Sequence, residues 1–389
     1  MQPALPKTQT ATPSPGLLAR ADRKRRQMLD AVFGRRMRSI DAQLCPPGGL
    51  PADDIHSILV IRPNHRLGNT VLISPLLREL ETLYPGAEID ILASGGAAQI
   101  LFSTRFQTHR VITLDRRMPR HPVRTLRQLR ATCNTPYDLA IDASMDSNMG
   151  RLILGRSTAR YKLSFPLQEP AEGEMARYRE DCPAHFALRN VHLLRTASGR
   201  GTQDPWPTLN VLLSENELAR GRKALHALFA HTDPLPPNAF VLGVFANATA
   251  DKRYPGDWWS RFMQALLDAH PDLHVVDVLA DHGRSQLPVA SRPFYSRDLR
   301  KLGSVLANMD AFISADCGVM HLASAVGVPT LGLFSRDNSD KYAPYGGCNQ
   351  SLDTHAGSEV EHTAQSAARW LGQLRQARRG DTLREGISA

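Results

Sequence analysis

Ser57-Ile58-Leu59-Val60-Ile61-Arg62, followed by a loop Pro63–Gly68 and a helical pattern from Asn69 to Leu83, is the stretch on which the fold turns. A near-continuous apolar run of this length marks a strand covered on both faces, which is the situation of a parallel sheet clad by helices. Working outward, strand-like Ile89–Leu92, Arg110–Leu114 and Tyr137–Ile141 follow at crossover spacing with helical patterns between them. That alternation predicts a β-α-β-α set. Phe240–Phe245 opens a second set. It continues with a helix over Asp257–Ala269, a strand His274–Leu279, a helix Asp298–Asn308, a strand Ala311–Ser314, a helix Gly318–Val326 and a strand Thr330–Phe334. Residues 160–207, rich in Pro and mixed charge, read as an irregular connection, and a terminal helix over Val360–Arg378 is expected to cross back over the first half. The expected architecture is α/β: two Rossmann-like domains, 55–207 and 208–358, facing a central cleft, with a tail and basic helix over 1–50 and a C-terminal helix and tail over 359–389. In doubly wound sheets ligands sit at the carboxyl ends of the strands, so chemistry is expected in the cleft.

The chain has 389 residues, 42% hydrophobic and 22% charged, enough to build two domains without staples. Five scattered cysteines form no C-x-x-C pair, which excludes zinc ribbons and disulfide scaffolds and favours a reducing compartment. No apolar run approaches the ~18–20 residues of a membrane span. Met1–Pro15 lacks the apolar region of a signal peptide, so a cytoplasmic location is expected. The net charge of +9 is concentrated in the first 50 residues, with nine Lys/Arg against three Asp. Within them Leu29, Phe33, Met37, Ile40 and Leu44 recur at helical spacing beside Arg23–Arg26 and Arg35–Arg38. Such a helix either lies on an anionic membrane surface or packs its stripe on the body. Aromatic interleaving and a known motif for nucleic acid are both absent.

Several signatures are missing: no G-x-G-x-x-G follows a first strand, no G-x-x-x-x-G-K-[ST] occurs, and there is no G-x-S-x-G elbow. His270 and His274 are separated by Pro271, so no zinc pair forms there. What remains is two loops of the second half. Ser314-Ala315-Asp316-Cys317-Gly318-Val319-Met320-His321 carries a strand end through glycine into a helix, whose amides and dipole make an anion site suited to a diphosphate. Asn247-Ala248-Thr249-Ala250-Asp251-Lys252-Arg253 places a hydroxyl and two cations by the same cleft, with Lys252 a point charge for phosphate.

These residues carry a resemblance. Lys252–Trp258 (K-R-Y-P-G-D-W), Asp316–Thr330 (D-C-G-V-M-H-L-A-S-A-V-G-V-P-T), Ala343-Pro344-Tyr345-Gly346 and the opening segment Ile58–Pro85 together resemble the family 9 glycosyltransferases, the ADP-heptose:lipopolysaccharide heptosyltransferases. The resemblance runs from about residue 57 to 346. It implies a GT-B fold and an inverting, metal-independent transfer of heptose from ADP-heptose, or sugar from another nucleotide sugar, to the inner core of lipopolysaccharide. No cofactor is implied, and the implied location is the inner face of the cytoplasmic membrane. It further implies that Asn247, Thr249 and Lys252 face the donor phosphates, that Asp316, Cys317, Gly318 and His321 hold the diphosphate and sugar, and that Asp281 contacts the nucleoside. Arg62, His65 and Arg66, with Arg116, Arg117, Arg120, Arg124 and Arg127, would face an acidic acceptor. A solvated basic helix is the competing reading of the second group.

The chain departs from the family pattern at three places. Asn69 stands at the position of the family's general base, an Asp in G-D-x-x-L, and an amide cannot accept a proton at neutral pH. Cys317 replaces a usual Ser or Thr, and Ser335-Arg336-Asp337-Asn338-Ser339 replaces G-P-T-D-P. Three explanations stay open. Asp142, Asp146 or His65 takes the proton; Asn69 only orients the acceptor and water or a phosphate oxygen takes the proton; or the protein has lost catalysis and binds nucleotide sugar or lipopolysaccharide as a regulator or scaffold.

Overall fold

A computed structural model describes residues 39–387, apart from 116–120, 145–146, 168–172, 202–203, 231–233, 250–251, 282, 288, 356 and 358. The first half contains β1 (Ser57–Arg62), α1 (Leu67–Val71), α2 (Ser74–Leu83), β2 (Glu88–Ser94), α3 (Ala97–Phe102), β3 (Thr108–Leu114), α4 (Pro122–Asn134), β4 (Leu139–Asp142), α5 (Asn148–Arg156), β5 (Tyr161–Leu163) and α6 (Phe186–Ala197). The second contains α7 (Glu215–Phe229), β6 (Phe240–Phe245), α8 (Gly256–Ala269), β7 (Leu273–Val278), β8 (Arg292–Phe294), α9 (Leu299–Leu306), β9 (Ala311–Ala315), α10 (Gly318–Ala325), β10 (Thr330–Phe334), α11 (Ser339–Tyr342), β11 (Gln350–Asp353) and α12 (Val360–Ile387).

Both sheets are parallel, in the orders β3-β2-β1-β4-β5 and β11-β10-β9-β6-β7-β8. Each therefore reverses its direction of growth once, between β1 and β4 in the first sheet and between β6 and β9 in the second. The crevice at such a switch point, past the carboxyl ends of the strands, is where a doubly wound sheet leaves room for a ligand. Ile58–Ile61 are fully buried, as the unbroken apolar run predicts. One core cluster joins Ile58 and Val60 of the first sheet to Val276, Val278 and Phe312 of the second, so an apolar seam runs between the halves. Arg300 crosses it, donating to the carbonyls of Leu101 (3.2 Å) and Val211 (3.3 Å) while paired with Glu217.

Three expectations are corrected. The helix expected over Asn69–Leu83 is two helices, broken at Leu72-Ile73, where Pro75 enters the first turn of α2 without an amide to donate. The stretch 160–207 is not wholly irregular: it holds β5, a 3-10 turn at Glu174–Tyr178, and α6. The terminal helix does not cross to the first half. It packs on α8, burying Ala364, Ala367, Trp370 and Leu371 in the second half's outer core, with Arg375 on Asp272 and Arg261 on Glu361. Of the expected helix over Leu17–Leu44, residues 1–38 lie outside the described residues; Ile40 and Leu44 are buried on the body. Among the described residues no helix is long and apolar enough to cross a membrane.

Candidate functional site

The two switch points meet. α1 follows β1, α10 follows β9, and their first turns touch: a Cβ added to Gly68 would lie 2.7 Å from His321 Cδ2. One added to Gly318 would lie 2.8 Å from Leu67 Cβ and 2.9 Å from the Gly68 nitrogen. Only glycine allows this approach, since real Cβ contacts do not reach such distances. Gly68-Asn69 and Gly318-Val319 are thereby held face to face across the cleft.

On the second side, Lys252 Nζ donates to Asp316 Oδ2 at 2.6 Å, and Asn338 Nδ2 donates to the same oxygen at 3.0 Å. Asp316 is 5% exposed, whereas the Lys252 side chain is 22% exposed and so meets the open side of the cleft. His321, one turn into α10, is buried, and its Nδ1 has no partner; Asn338 Oδ1 is likewise buried without a partner. Two unsatisfied polar atoms on two side chains around one carboxylate carry a desolvation cost that a bound polar group relieves. Burial pushes the His321 ring down to about 4, with His185 and Lys252 adding to the effect and Asp316 opposing it, so the imidazole is neutral at physiological pH. The Cys317 thiol, 3.3 Å from Ser314 Oγ, is pushed up by burial and stays protonated. Asn247 is buried at the end of β6, while Thr249 and Asp281 are exposed on the loops after β6 and β7.

On the first side the charges turn inward. Arg62, 5% exposed, donates through Nε to the Asn69 carbonyl (3.2 Å) and through Nη1 to the Ala143 carbonyl (2.8 Å). Burial lowers its guanidinium to about 10, with Asp142 opposing. It clamps the loops after β1 and β4 together and is not part of an exposed cationic face, a correction to its expected place on the acceptor surface. Asp142 is buried too: its Oδ1 accepts from the Ser144 amide (3.0 Å) and the Ser144 hydroxyl, close against Gly150 in the first turn of α5. Asn69 is half-buried, and His65 and Arg66 are exposed on the loop. Arg116, Arg117, Arg120 and Asp146 lie outside the described residues.

Three residues enter the site without a local signal in the sequence. Asn338 comes from the S-R-D-N-S loop that departs from the family pattern. Tyr342, at the end of α11, spans both halves, with its ring 4.9 Å from Phe186 of α6, 6.3 Å from His321, and 5.8 Å below the Lys252 ammonium. His185 caps α6 by accepting from the Ala187 amide at Nδ1 and donates through Nε2 to the Ala343 carbonyl (2.9 Å), which fixes a neutral tautomer. Burial lowers its basicity further. The contacts of His185 with Ala343 and of Tyr342 with Phe186 span the halves, and that of Asn338 joins two loops far apart in sequence, so only the folded chain makes them visible.

A cavity of about 540 Å³ lies elsewhere, at the far end of α10 between Asn210, Leu213, Val326 and Asn349, and contains none of these residues. Among the described residues no cluster of three or more His, Cys, Asp or Glu is arranged to hold a metal ion.

Comparison with known proteins identifies the family and the fold. The family model described as glycosyltransferase family 9 (heptosyltransferase) matches residues 126–368, well over half of the chain. The chain is similar in structure to the glycosyl transferase family 9 protein of Veillonella parvula, with a TM-score of 0.64 at 14% identity, covering 83% of this chain and 98% of that one. It is also similar to E. coli ADP-heptose lps heptosyltransferase II (TM-score 0.59, 18% identity, 83% and 99% covered). E. coli heptosyltransferase WaaC, determined with ADP, gives a TM-score of 0.56 at 19% identity, with 82% and 99% covered. At these identities the likeness is one of fold, and it makes the two facing sheets a GT-B arrangement. No curated protein matches the chain.

Proposed function

The chain belongs to glycosyltransferase family 9, the heptosyltransferases, and from that premise we propose that it transfers heptose, with inversion and without a metal, from ADP-heptose to the inner core of lipopolysaccharide. The acceptor is lipid-linked, and the protein works at the inner face of the cytoplasmic membrane. The observation that carries this reading is the Lys252–Asp316–Asn338 cluster, with the unpartnered His321 Nδ1, at the start of α10. The ADP bound by the E. coli relative supports a nucleoside diphosphate as the ligand.

In the proposed reaction the acceptor oxygen attacks the anomeric carbon from the side of the first domain. The new C–O bond forms as the bond to the β-phosphate oxygen breaks, and the electron pair leaves with ADP. Negative charge builds on the diphosphate, where the Lys252 ammonium and the first turn of α10 stabilise it. The contact between α1 and α10 fixes the two sides relative to each other and so contributes to orientation. The neutral His321 offers a hydrogen bond to the donor without adding charge. The acceptor's proton is taken on the first side, by Asp142 at the carboxyl end of β4; Asn69 orients the hydroxyl.

Calorimetric titration with ADP-heptose, followed by product analysis by mass spectrometry with acceptor present, tests this reading. Saturable binding with a mass gain of one heptose on the acceptor is expected; no binding of any nucleotide sugar would overturn it. Asn69 in place of the family's carboxylate favours a second reading, a binding protein with impaired catalysis. Under it, donor binds without turnover, and Asn69→Asp raises the rate by roughly 10²-fold or more. If Asp142 is the base, Asp142→Asn abolishes turnover while ADP affinity is unchanged.

A further inference from the structure

Seven large hydrophobic side chains are exposed among the described residues, and four of them stand toward the carboxyl end of the first sheet: Val123 (69% exposed), Leu126 (65%), Leu167 (45%) and Met149 (37%). The topology explains the placement. α4 runs from the carboxyl end of β3, α5 from that of β4, and Leu167 follows β5, so all four stand at the carboxyl edge that borders the cleft. α4 turns Thr125, Thr132 and Cys133 into the core and leaves Val123, Leu126, Arg127 and Arg130 along its outer stripe, with Arg124 beside it. Pro122–Asn134 contains no acidic residue, so nothing on the helix neutralises its three exposed arginines.

We propose that this edge, centred on α4, docks on an anionic lipid bilayer. The arginines would lie on headgroup phosphates and the four apolar side chains would enter the interface between them, the two-part binding that amphipathic surfaces use. The route of the chain points the same way. Residues 1–38, outside the described residues, hold nine Lys/Arg against two Asp. They join the body on this face: Ile40 packs on Gly155 of α5, Asp41 pairs with Arg151, and the Asp41 carboxylate accepts from the Leu167 amide (3.2 Å). A second copy of the chain fits less well, since a twofold contact through α4 sets arginine against arginine. Nucleic acid would satisfy the arginines and leave Val123 and Leu126 without a partner, and α4 carries no aromatic side chain for stacking. The surface gives a lipid-linked acceptor a place beside the cleft, but the inference rests on the exposed residues and not on the sugar-transfer reading.

The test is co-sedimentation of the full chain with vesicles of phosphatidylcholine, with and without phosphatidylglycerol, at two salt concentrations and without nucleotide. The chain is expected to partition onto the anionic vesicles only, and less at high salt. Arg124→Gln/Arg127→Gln/Arg130→Gln is expected to lower partitioning by roughly two orders of magnitude, at about fivefold for each arginine. Val123→Glu/Leu126→Glu lowers it by at least about tenfold, because lost insertion and added negative charge act together. All five positions are exposed, and ADP titration of each variant reports whether the site is intact. Three outcomes overturn the proposal: a wild-type chain that ignores anionic vesicles; full binding by both variants, which would assign the membrane contact to residues 1–38 alone; or a wild-type dimer that the α4 variants dissociate. Vesicle binding without ADP binding would instead defeat the transferase reading and leave this one standing.

Discussion

At the carboxyl ends of β6 and β9 the buried charge, Asp316, is shared by two side chains brought in from distant loops, and two polar atoms beside it lack partners. At the ends of β1 and β4 the buried charges are tied into the backbone frame: Arg62 donates to two backbone carbonyls, and Asp142, the proposed base, accepts from Ser144 through Oδ1. The same strand–loop–helix unit thus does two jobs. The second half is organised before a ligand arrives, in the manner of a charge-stabilising site, while the first is a rigid frame that presents Asn69, His65 and Arg66 to whatever enters. The difference teaches where affinity and where selectivity should reside, and each of the following experiments strains one side of it.

The largest effect is expected from Lys252→Ala. It removes the cation facing the donor phosphates and leaves Asp316 near them without its ion-pair partner, so the loss is about 3–4 kcal/mol, roughly 10²–10³-fold in the Kd for ADP-heptose. An unchanged calorimetric Kd would mean that the second half is not the organised one. Arg66→Ala, on the first side, is expected to leave that Kd alone and to raise only the KM for acceptor.

The next effect is one of pH. His321 is held neutral, with its folded value near 4, below its ordinary 6.5. The unfolded chain takes up that proton first, so stability is full above pH 6.5, falls as the pH drops toward 4 and levels off below it. The full loss is of the order of 3 kcal/mol. Urea midpoints measured every half unit from pH 7 to 4 should show this slope in the wild type and a flatter one in His321→Gln. Equal slopes would place the pH response elsewhere, with His185 the next group to test.

Much of this arrangement was legible in the chain. The unbroken apolar strands, the glycine at Gly318 and the lone Lys252 in its loop are local signals with local causes, and strands such as Phe240–Phe245 and Thr330–Phe334 lie where the pattern puts them. Illegible were the features whose cause is tertiary. β5 has three residues and no room for a period. Arg62 ends a strand buried from Ile58 onward, and its direction depends on the loop of Asn69 lying under it. Asn338 and Tyr342 reach the site because a loop folds back over β9, not because any spacing announces them. The face of α12 that is buried was equally undetermined: its Arg375 finds Asp272 and its Glu361 finds Arg261 of α8, both on the second half, and no spacing in the sequence pairs them.

Gly318→Ala comes third. A methyl group there meets Leu67 Cβ and the Gly68 nitrogen at under 3 Å, so the two helix starts must part. Overpacking of this kind costs about 1–3 kcal/mol, read as a lowered denaturation midpoint. The comparison sharpens if turnover falls further than ADP affinity, because the donor side survives the parting and the alignment of the two sides does not.

The smallest effect tests the joint between the halves. Leu212, in the connector, has a left-handed backbone (φ 50°), held by its own amide donating to Asn210 Oδ1 (2.7 Å) and its carbonyl accepting from Arg300 (3.0 Å). A leucine in that region is strained by about 1–2 kcal/mol, and glycine adopts it freely while losing about 0.5–1 kcal/mol of chain entropy on folding. Leu212 is 41% exposed, so little packing is lost in the exchange. Leu212→Gly is therefore expected to stabilise the chain, by at most about 1.5 kcal/mol, and to leave both ADP affinity and turnover untouched, since the backbone it relieves is already in place. A stabilised but slower enzyme would show that the strain is transmitted to the cleft, and that the frame-like first half moves against the second during the reaction.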